Sequence, residues 1–165
     1  MKKKTEPKPP VESFAERAGL LKNRKAGRKM ILFLAGSDDD ENSHIRFELA
    51  EILLKDRGHI VINPAKNTSR PGSSWMDELA EDLSVLTELG GYNRLLHGQL
   101  AIHLPNMFFP LPAVCIIDNK FAGSTGREMI VRYANIRGIP TMRIESFVVD
   151  FGCIVKQAVE EGGLK

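Results

Sequence analysis

The sequence has few cysteines and no long hydrophobic run, and both absences limit what the protein can be. Cys115 and Cys153 stand in apolar surroundings without the spacing of metal ligands, so we expect free thiols in a reducing compartment, with no disulfide and no zinc. No apolar run reaches the roughly 18 to 20 residues that a membrane-spanning helix requires, and the N-terminus has no hydrophobic signal segment. We therefore expect a cytoplasmic protein that does not enter a membrane.

Charge is unevenly distributed along the chain, whose 165 residues include 23 Lys and Arg and 21 Asp and Glu. Residues 1–29 hold ten of the bases and three of the acids, so this segment carries +7 and the remainder −5. Because Lys- and Pro-rich segments bury little apolar area, we predict a largely disordered basic tail over residues 1–29, with a short amphipathic helix within residues 11–22. A single domain is predicted over residues 30–165. Such a tail can bind nucleic acid, although a solvated tail is more common.

Hydrophobic periodicity within the domain alternates between strands and helices. Buried strands are predicted in MILFLAG (30–36), HIVINP (59–64), AVCIID (113–118) and IPTMRI (139–144), with amphipathic helices between them. Before the third strand, an apolar segment with three prolines predicts a helix to about His103 and then a loop. Strands that alternate with helices pair in parallel through right-handed crossovers. We predict an α/β, flavodoxin-like or Rossmann-like three-layer domain with a mostly parallel sheet of four to five strands.

Three polar loops follow the predicted strands: AGSDDDENS, NPAKNT and DNKFAGSTGRE. Ligands of such sheets bind outside the carboxyl ends of the strands, so these loops form the candidate site. The acidic run in the first loop, which begins with Asp38, suits the dipole at a helix N-terminus, and that structural role is the more common one. Its alternatives are recognition of ribose hydroxyls and a weak magnesium site.

Glu128 follows the third loop and has two interpretations. Thr125 and Glu128 form a T-x-x-E pattern, which is typical of a capping box at a helix N-terminus, and this structural reading is favoured on local sequence alone. Alternatively, the exposed backbone amides of that helix start, beside Ser124 and Thr125, bind an anion or a hydroxyl group next to the carboxylate. A carboxylate in that position can attack a sugar carbon.

The order of these motifs resembles a known family. LFLAGS, an amphipathic helix, GHIVINP, AEDLSVL, an apolar strand and GSTGREMIVRYANIRGIP follow one another, over residues 30–144, as in the nucleoside 2-deoxyribosyltransferase-like superfamily, which includes a deoxynucleotide N-glycosidase branch. The resemblance implies that Glu128 is the nucleophile that displaces the base at the anomeric carbon, and that Asp82 is the acid that assists the leaving base. The family often has another Asp where this chain has Ala122 or Pro112, so Asp118 is a candidate substitute.

The same resemblance implies a substrate site and partners. It implies a nucleoside or nucleotide substrate and a homo-oligomer, and we expect no cofactor and no metal. Residues 89–111 are an insertion relative to the family, for which we expect a lid or a subunit contact. Three alternatives stay open: a non-catalytic nucleotide-binding module, a TIR-like domain that cleaves or binds NAD, and an adaptor that uses the basic tail. The candidate substrate-binding residues are Gly36, Ser37, Asp38, Asn63, Gly123, Ser124, Thr125 and Gly126.

Overall fold

The computed structural model of the protein describes residues 10–22, 28–37, 42–67, 74–98, 109–118 and 125–161. Two 3-10 turns, Pro64–Asn67 and Ile144–Ser146, follow the second and fourth strands. The strands are β1 (Met30–Ala35), β2 (Ile60–Ile62), β3 (Leu111–Ile116) and β4 (Thr141–Arg143). The helices are α1 (Pro10–Arg17), α2 (Ser43–Asp56), α3 (Trp75–His97), α4 (Thr125–Ile136) and α5 (Phe151–Glu160).

The four strands form one parallel sheet in the order β2-β1-β3-β4. Leu32 of β1 pairs with Val61 of β2 on one side and with Ala113 of β3 on the other, and β3 continues the sheet to β4. The chain moves from β1 to β2 and then crosses back to the other side of β1, so the strand order reverses between β1 and β3. This arrangement confirms the predicted three-layer α/β domain.

Helices cover both faces of the sheet, which explains why the strands are continuous apolar runs. Successive side chains of a strand point to opposite faces, so Leu32 and Leu34 pack against α1, α2 and α5. Phe33 and Ala35 pack on the other face, against α3 and α4. All four of these side chains are fully or almost fully buried.

Helix α1 belongs to the folded core, although the sequence predicted a domain that begins at residue 30. Val11, Phe14 and Ala15 are buried in the cluster that includes α2 and α5, at 4%, 1% and 0% exposure. The backbone N–H of Lys22 also donates to the carboxylate of Asp56 at 2.9 Å. The amphipathic spacing was therefore a better guide than the basic composition of the surrounding segment. The predictions for residues 1–9 and 23–27 lie outside the described residues.

Helix α3 begins with a side-chain cap formed by Ser74 and Asp77. The backbone N–H of Asp77 donates to the Ser74 hydroxyl at 3.3 Å, and the Ser74 N–H donates to the Asp77 carboxylate at 3.0 Å. These reciprocal hydrogen bonds form a capping box, and they lower the pKa of Asp77. The helix runs to His97, and the predicted continuation to His103 falls on residues outside the description. No helix in the described ranges is long and apolar enough to cross a membrane.

Candidate functional site

The carboxyl ends of the strands collect the polar residues that the sequence singled out. Ser37 follows β1, Asn63 follows β2 and Asp118 follows β3, and all three are buried. The reversal of strand order places the ends of β1 and β3 side by side, which is where open α/β sheets bind ligands. The candidate site therefore lies at the edge that the sequence predicted.

Asp118 is the centre of this edge, and both of its carboxylate oxygens are engaged. Oδ2 accepts a hydrogen bond from the backbone N–H of Ser37 at 2.6 Å, and Oδ1 accepts one from the guanidinium of Arg127 in the first turn of α4. The side chains of Asp118 and Arg127 are only 3% and 8% exposed. A buried carboxylate with a cation and an amide donor is neutralised and held in place. Asp118 thus joins β1, β3 and α4, and is not available as a free acid in this arrangement.

Arg143, at the end of β4, adds a weaker contact to the same edge. Its Nη2 donates to the backbone carbonyl of Asp118 at 3.4 Å, and its Nε lies 3.5 Å from the carboxylate of Glu145. Arg127 and Arg143 are absent from the sequence-based list. In the sequence, Arg127 stands in the first turn of a predicted helix that follows a strand ending in Asp118. That the two side chains form an ion pair is evident only from the fold.

Glu128 is exposed in the first turn of α4, next to the buried Arg127. The helix begins at Thr125, so Thr125 is its first residue and Glu128 its fourth. A capping box with Thr125 as the cap would make Glu128 the third helical residue. The carboxylate of Glu128 has no hydrogen bond or ion pair with the side chain of another described residue. The side chain of Thr125 is outside the description, so the capping-box interpretation of Glu128 stays a prediction.

Asp82 and Glu128 lie at the same level on two packed helices. Both α3 and α4 return from the carboxyl edge, and the Thr87 and Tyr133 hydroxyls, 2.6 Å apart, align the two helices. Asp82 precedes Thr87 by five residues, and Glu128 precedes Tyr133 by five, so each lies about 7.5 Å further toward the carboxyl edge.

Five residues of an α-helix correspond to one full turn plus about 140° of rotation. Relative to the contact between Thr87 and Tyr133, this rotation places Asp82 and Glu128 on opposite sides of the line that joins the two parallel helices. Asp82 is half-buried and Glu128 is exposed, which agrees with this rotation. The two carboxylates are brought to one level without facing each other.

Asn63 is committed to the corner between α2 and β2. Its Nδ2 donates to Glu51 at 3.2 Å, and its Oδ1 accepts from the backbone N–H of Ala65 at 3.0 Å. The ammonium groups of Lys55 and Lys66 lie 2.8 Å from the same buried Glu51 carboxylate. Burial alone would raise the pKa of Glu51, but these three donors outweigh it and hold the pKa below its ordinary value. Asn63 therefore has a sufficient structural role without a ligand.

The remaining candidates divide between tight packing and undescribed segments. A Cβ at Gly36 would stand 2.8 Å from the Ile117 side chain, so packing alone requires glycine there. Gly126 lies half-buried in the first turn of α4, and the side chain of Thr125 is not described. Asp38, Gly123 and Ser124 fall outside the described residues. Within the described ranges, no three His, Cys, Asp or Glu side chains are grouped to hold a metal ion.

Comparison with models of known protein families, with curated proteins and with solved structures found no significant match.

Proposed function

We propose that the protein cleaves the N-glycosidic bond of a nucleoside or nucleotide bound at the carboxyl edge of the sheet, with Glu128 as the nucleophile. The supporting observation is that Glu128 is an exposed carboxylate in the first turn of the helix that follows β3, and that it has no ion pair with another described residue. The adjacent Arg127 is fixed by the buried Asp118, so the backbone that carries Glu128 is anchored to the sheet.

The reaction proceeds in two displacements. The Glu128 carboxylate attacks the anomeric carbon and forms a glycosyl ester as the C–N bond breaks, and the leaving base takes a proton from water. Water then attacks the same carbon, releases the Glu128 carboxylate and yields the free sugar and a proton. Asp118 serves this scheme by positioning α4, because its own oxygens are engaged. By the helical geometry given above Asp82 does not face Glu128, so the proposal assigns only the nucleophile to a residue.

The test is chromatography of free bases released from a panel of nucleosides, deoxynucleotides and NAD. Wild-type protein is compared with Glu128→Gln, and with Glu88→Gln as a control that removes another exposed helix carboxylate on α3. We expect base release that disappears in Glu128→Gln alone, with an unchanged unfolding midpoint. Equal rates in the wild type and in Glu128→Gln would contradict the assignment. Release from NAD alone would favour the TIR-like alternative.

A second candidate is a non-catalytic nucleotide-binding module. The engagement of Asp118 and the rotation of Asp82 away from Glu128 favour it, because glycoside cleavage ordinarily uses two carboxyl groups that flank one bond. Titration calorimetry with the same panel distinguishes the two functions. Binding by the wild type and by Glu128→Gln, without base release from either, is the expected result for a binding module.

A further inference from the structure

A cavity of about 480 Å³ opens between α2 and α5, on the face of the sheet opposite α3 and α4. Its apolar wall is made by Ile117 after β3 and by Phe151, Val155 and Val159 of α5. The volume lies within the range of small-molecule sites, which combine mostly apolar walls with a few convergent polar groups. Glu128 does not line this cavity, so a ligand bound here would not occupy the carboxylate assigned to base release.

The charged residues that line the cavity include more acids than bases. Asp118, Glu145 and Glu160 supply three carboxylates, and Arg46 and Lys156 supply two cations. Arg46 already has an interaction of its own, so its charge is not free for a ligand. Lys156 precedes Glu160 by four residues on α5, which places these two opposite charges on one side of the helix. The lining therefore does not favour an anionic ligand.

Glu145 is the carboxylate at this cavity that the protein compensates only in part. Its Oε2 is buried and accepts no hydrogen bond from a described residue, and the Nε of Arg143 lies 3.5 Å from it. The same guanidinium also donates to the backbone carbonyl of Asp118 at 3.4 Å, so Arg143 is shared between two acceptors. Both carboxylate oxygens of Asp118, by contrast, have donors.

The unmatched oxygen of Glu145 gives this carboxylate a reason to attract a cation. A buried carboxylate oxygen without a hydrogen bond is unfavourable, and a cationic donor at the same group offsets that cost. The side chain of Glu145 is 34% exposed and lines the cavity, so a ligand can approach the accessible part of the carboxylate.

The thiol of Cys115 is affected by the same negative charge. Cys115 lies in β3, and its partner in the sheet is Met142 of β4, the strand that Glu145 follows. Burial, and then the charge of Glu145, raise the pKa of Cys115 to about 12. The charge of Glu145 thus acts on its surroundings although Arg143 is near.

We propose that this cavity binds a small organic cation, with an aromatic or aliphatic body against α5 and an ammonium group at the carboxylate of Glu145. The lining residues of α5 extend from Gly152 to Glu160, which is about 12 Å along a helix, the length of two or three fused or linked rings. Glycine at position 152 leaves the wall open, since a Cβ built there meets no atom within 4 Å.

The test uses three probes with the same aromatic body, titrated by calorimetry at neutral pH. They are 1-naphthylmethylamine as the cation, 1-naphthylmethanol as the neutral counterpart and 1-naphthoate as the anion.

Three variants accompany the wild type, and circular dichroism checks that each is folded. Glu145→Gln removes the carboxylate charge, with Glu88→Gln on α3 as its control. Gly152→Leu places a side chain in the cavity, and Gly91→Leu is the matched control, because Gly91 is also an exposed helical glycine with open space around its Cβ position, on the opposite face. Lys156→Met keeps the apolar part of that side chain and removes its charge.

We expect the wild type to bind the amine more tightly than the alcohol, and the alcohol more tightly than naphthoate. Glu145→Gln should bind the amine about fivefold more weakly, which is what a partly exposed ion pair contributes, with binding of the alcohol unchanged. Gly152→Leu should lose the amine, whereas Gly91→Leu and Glu88→Gln should match the wild type. Lys156→Met should bind the amine at least as tightly, because the variant removes a like charge.

Equal binding of the three probes, unchanged amine binding in Glu145→Gln or in Gly152→Leu, or no binding of the amine to the wild type would each overturn the proposal. None of these readouts depends on base release, so the proposed N-glycosidase activity can fail without affecting this result.

Discussion

Replacing Asp118 by Asn is the perturbation for which the structure gives the clearest magnitude. The substitution keeps the shape of the side chain but leaves the 8%-exposed guanidinium of Arg127 without its counter-charge, and one of the two donors facing position 118 meets an NH₂ group. Removing one member of a buried ion pair costs about 3 to 5 kcal/mol, because the remaining charge is uncompensated. Asn still accepts one hydrogen bond, so we expect about 3 kcal/mol.

Urea unfolding at neutral pH, followed by circular dichroism, measures this loss, and thermal unfolding should show a fall in Tm of about 6 to 12 °C for a chain of this length. Glu145→Gln is the matched control. It removes a carboxylate from an ion pair with Arg143 that is 3.5 Å long and over a third exposed on the arginine side, for which about 0 to 1 kcal/mol is expected.

The double variant Asp118→Asn/Arg127→Met provides a second check, since it removes the uncompensated charge as well. Its free energy of unfolding should fall by less than the sum of the two single losses. Equal stability of Asp118→Asn and wild type, or strict additivity in the double variant, would refute the argument that this pair fastens β1, β3 and α4.

Three further predictions concern stability. Gly36→Ala should cost about 1 to 3 kcal/mol because its Cβ would stand 2.8 Å from Ile117, whereas Gly91→Ala, in open space on α3, should be neutral or stabilising; equal unfolding midpoints for the two would contradict the packing argument. Phe14→Ala should cost about 3 to 5 kcal/mol, since Phe14 is 1% exposed in the core, and a loss below about 1 kcal/mol would show that α1 is not docked. Burial, and then the charge of Arg57, lower the pKa of His59 from its ordinary value of 6.5. The unfolded state therefore binds more protons below that pH, and the free energy of unfolding should fall as the pH drops from 6.5 through the folded pKa. His59→Gln should show a shallower fall of this free energy between pH 7.5 and 5. Parallel plots of stability against pH for the variant and the wild type would refute the assignment to His59.

The fold was predictable because its signals are local. β1 and β3 are apolar runs buried on both faces, and the helices between them are amphipathic. The alternation of strands and helices could therefore be predicted without tertiary information. Helix α1 shows where this reasoning stopped. Phe14 and its neighbours have helical spacing, but whether such a stripe packs on the domain depends on a groove beside α2 and α5 that only the folded chain contains.

For the candidate site, the position of Ser37 and Asp118 was predictable but their hydrogen-bond partners were not. The end of a parallel strand is where function was expected, and Ser37 and Asp118 do lie there. Their hydrogen bond joins residues 81 positions apart, and the cavity wall comes from α5, for which the sequence offered no polar motif. Such contacts depend on strand order, which periodicity does not encode.

The hydrogen-bond partners of three carboxylates distinguish two acids that stabilise the fold from Glu128, to which we assign the proposed chemistry. Asp118 uses both oxygens on Ser37 and Arg127, and Glu51 is surrounded by three donors, so replacing either should lower stability before it affects any ligand. Glu128 is exposed with no such donors among the described residues, so Glu128→Gln should leave the unfolding midpoint in place. A destabilised Glu128→Gln would mean that the carboxylate supports α4 through contacts of its own, and loss of base release in that variant would then carry no information about a nucleophile. An equally stable variant without base release would assign the chemistry to Glu128.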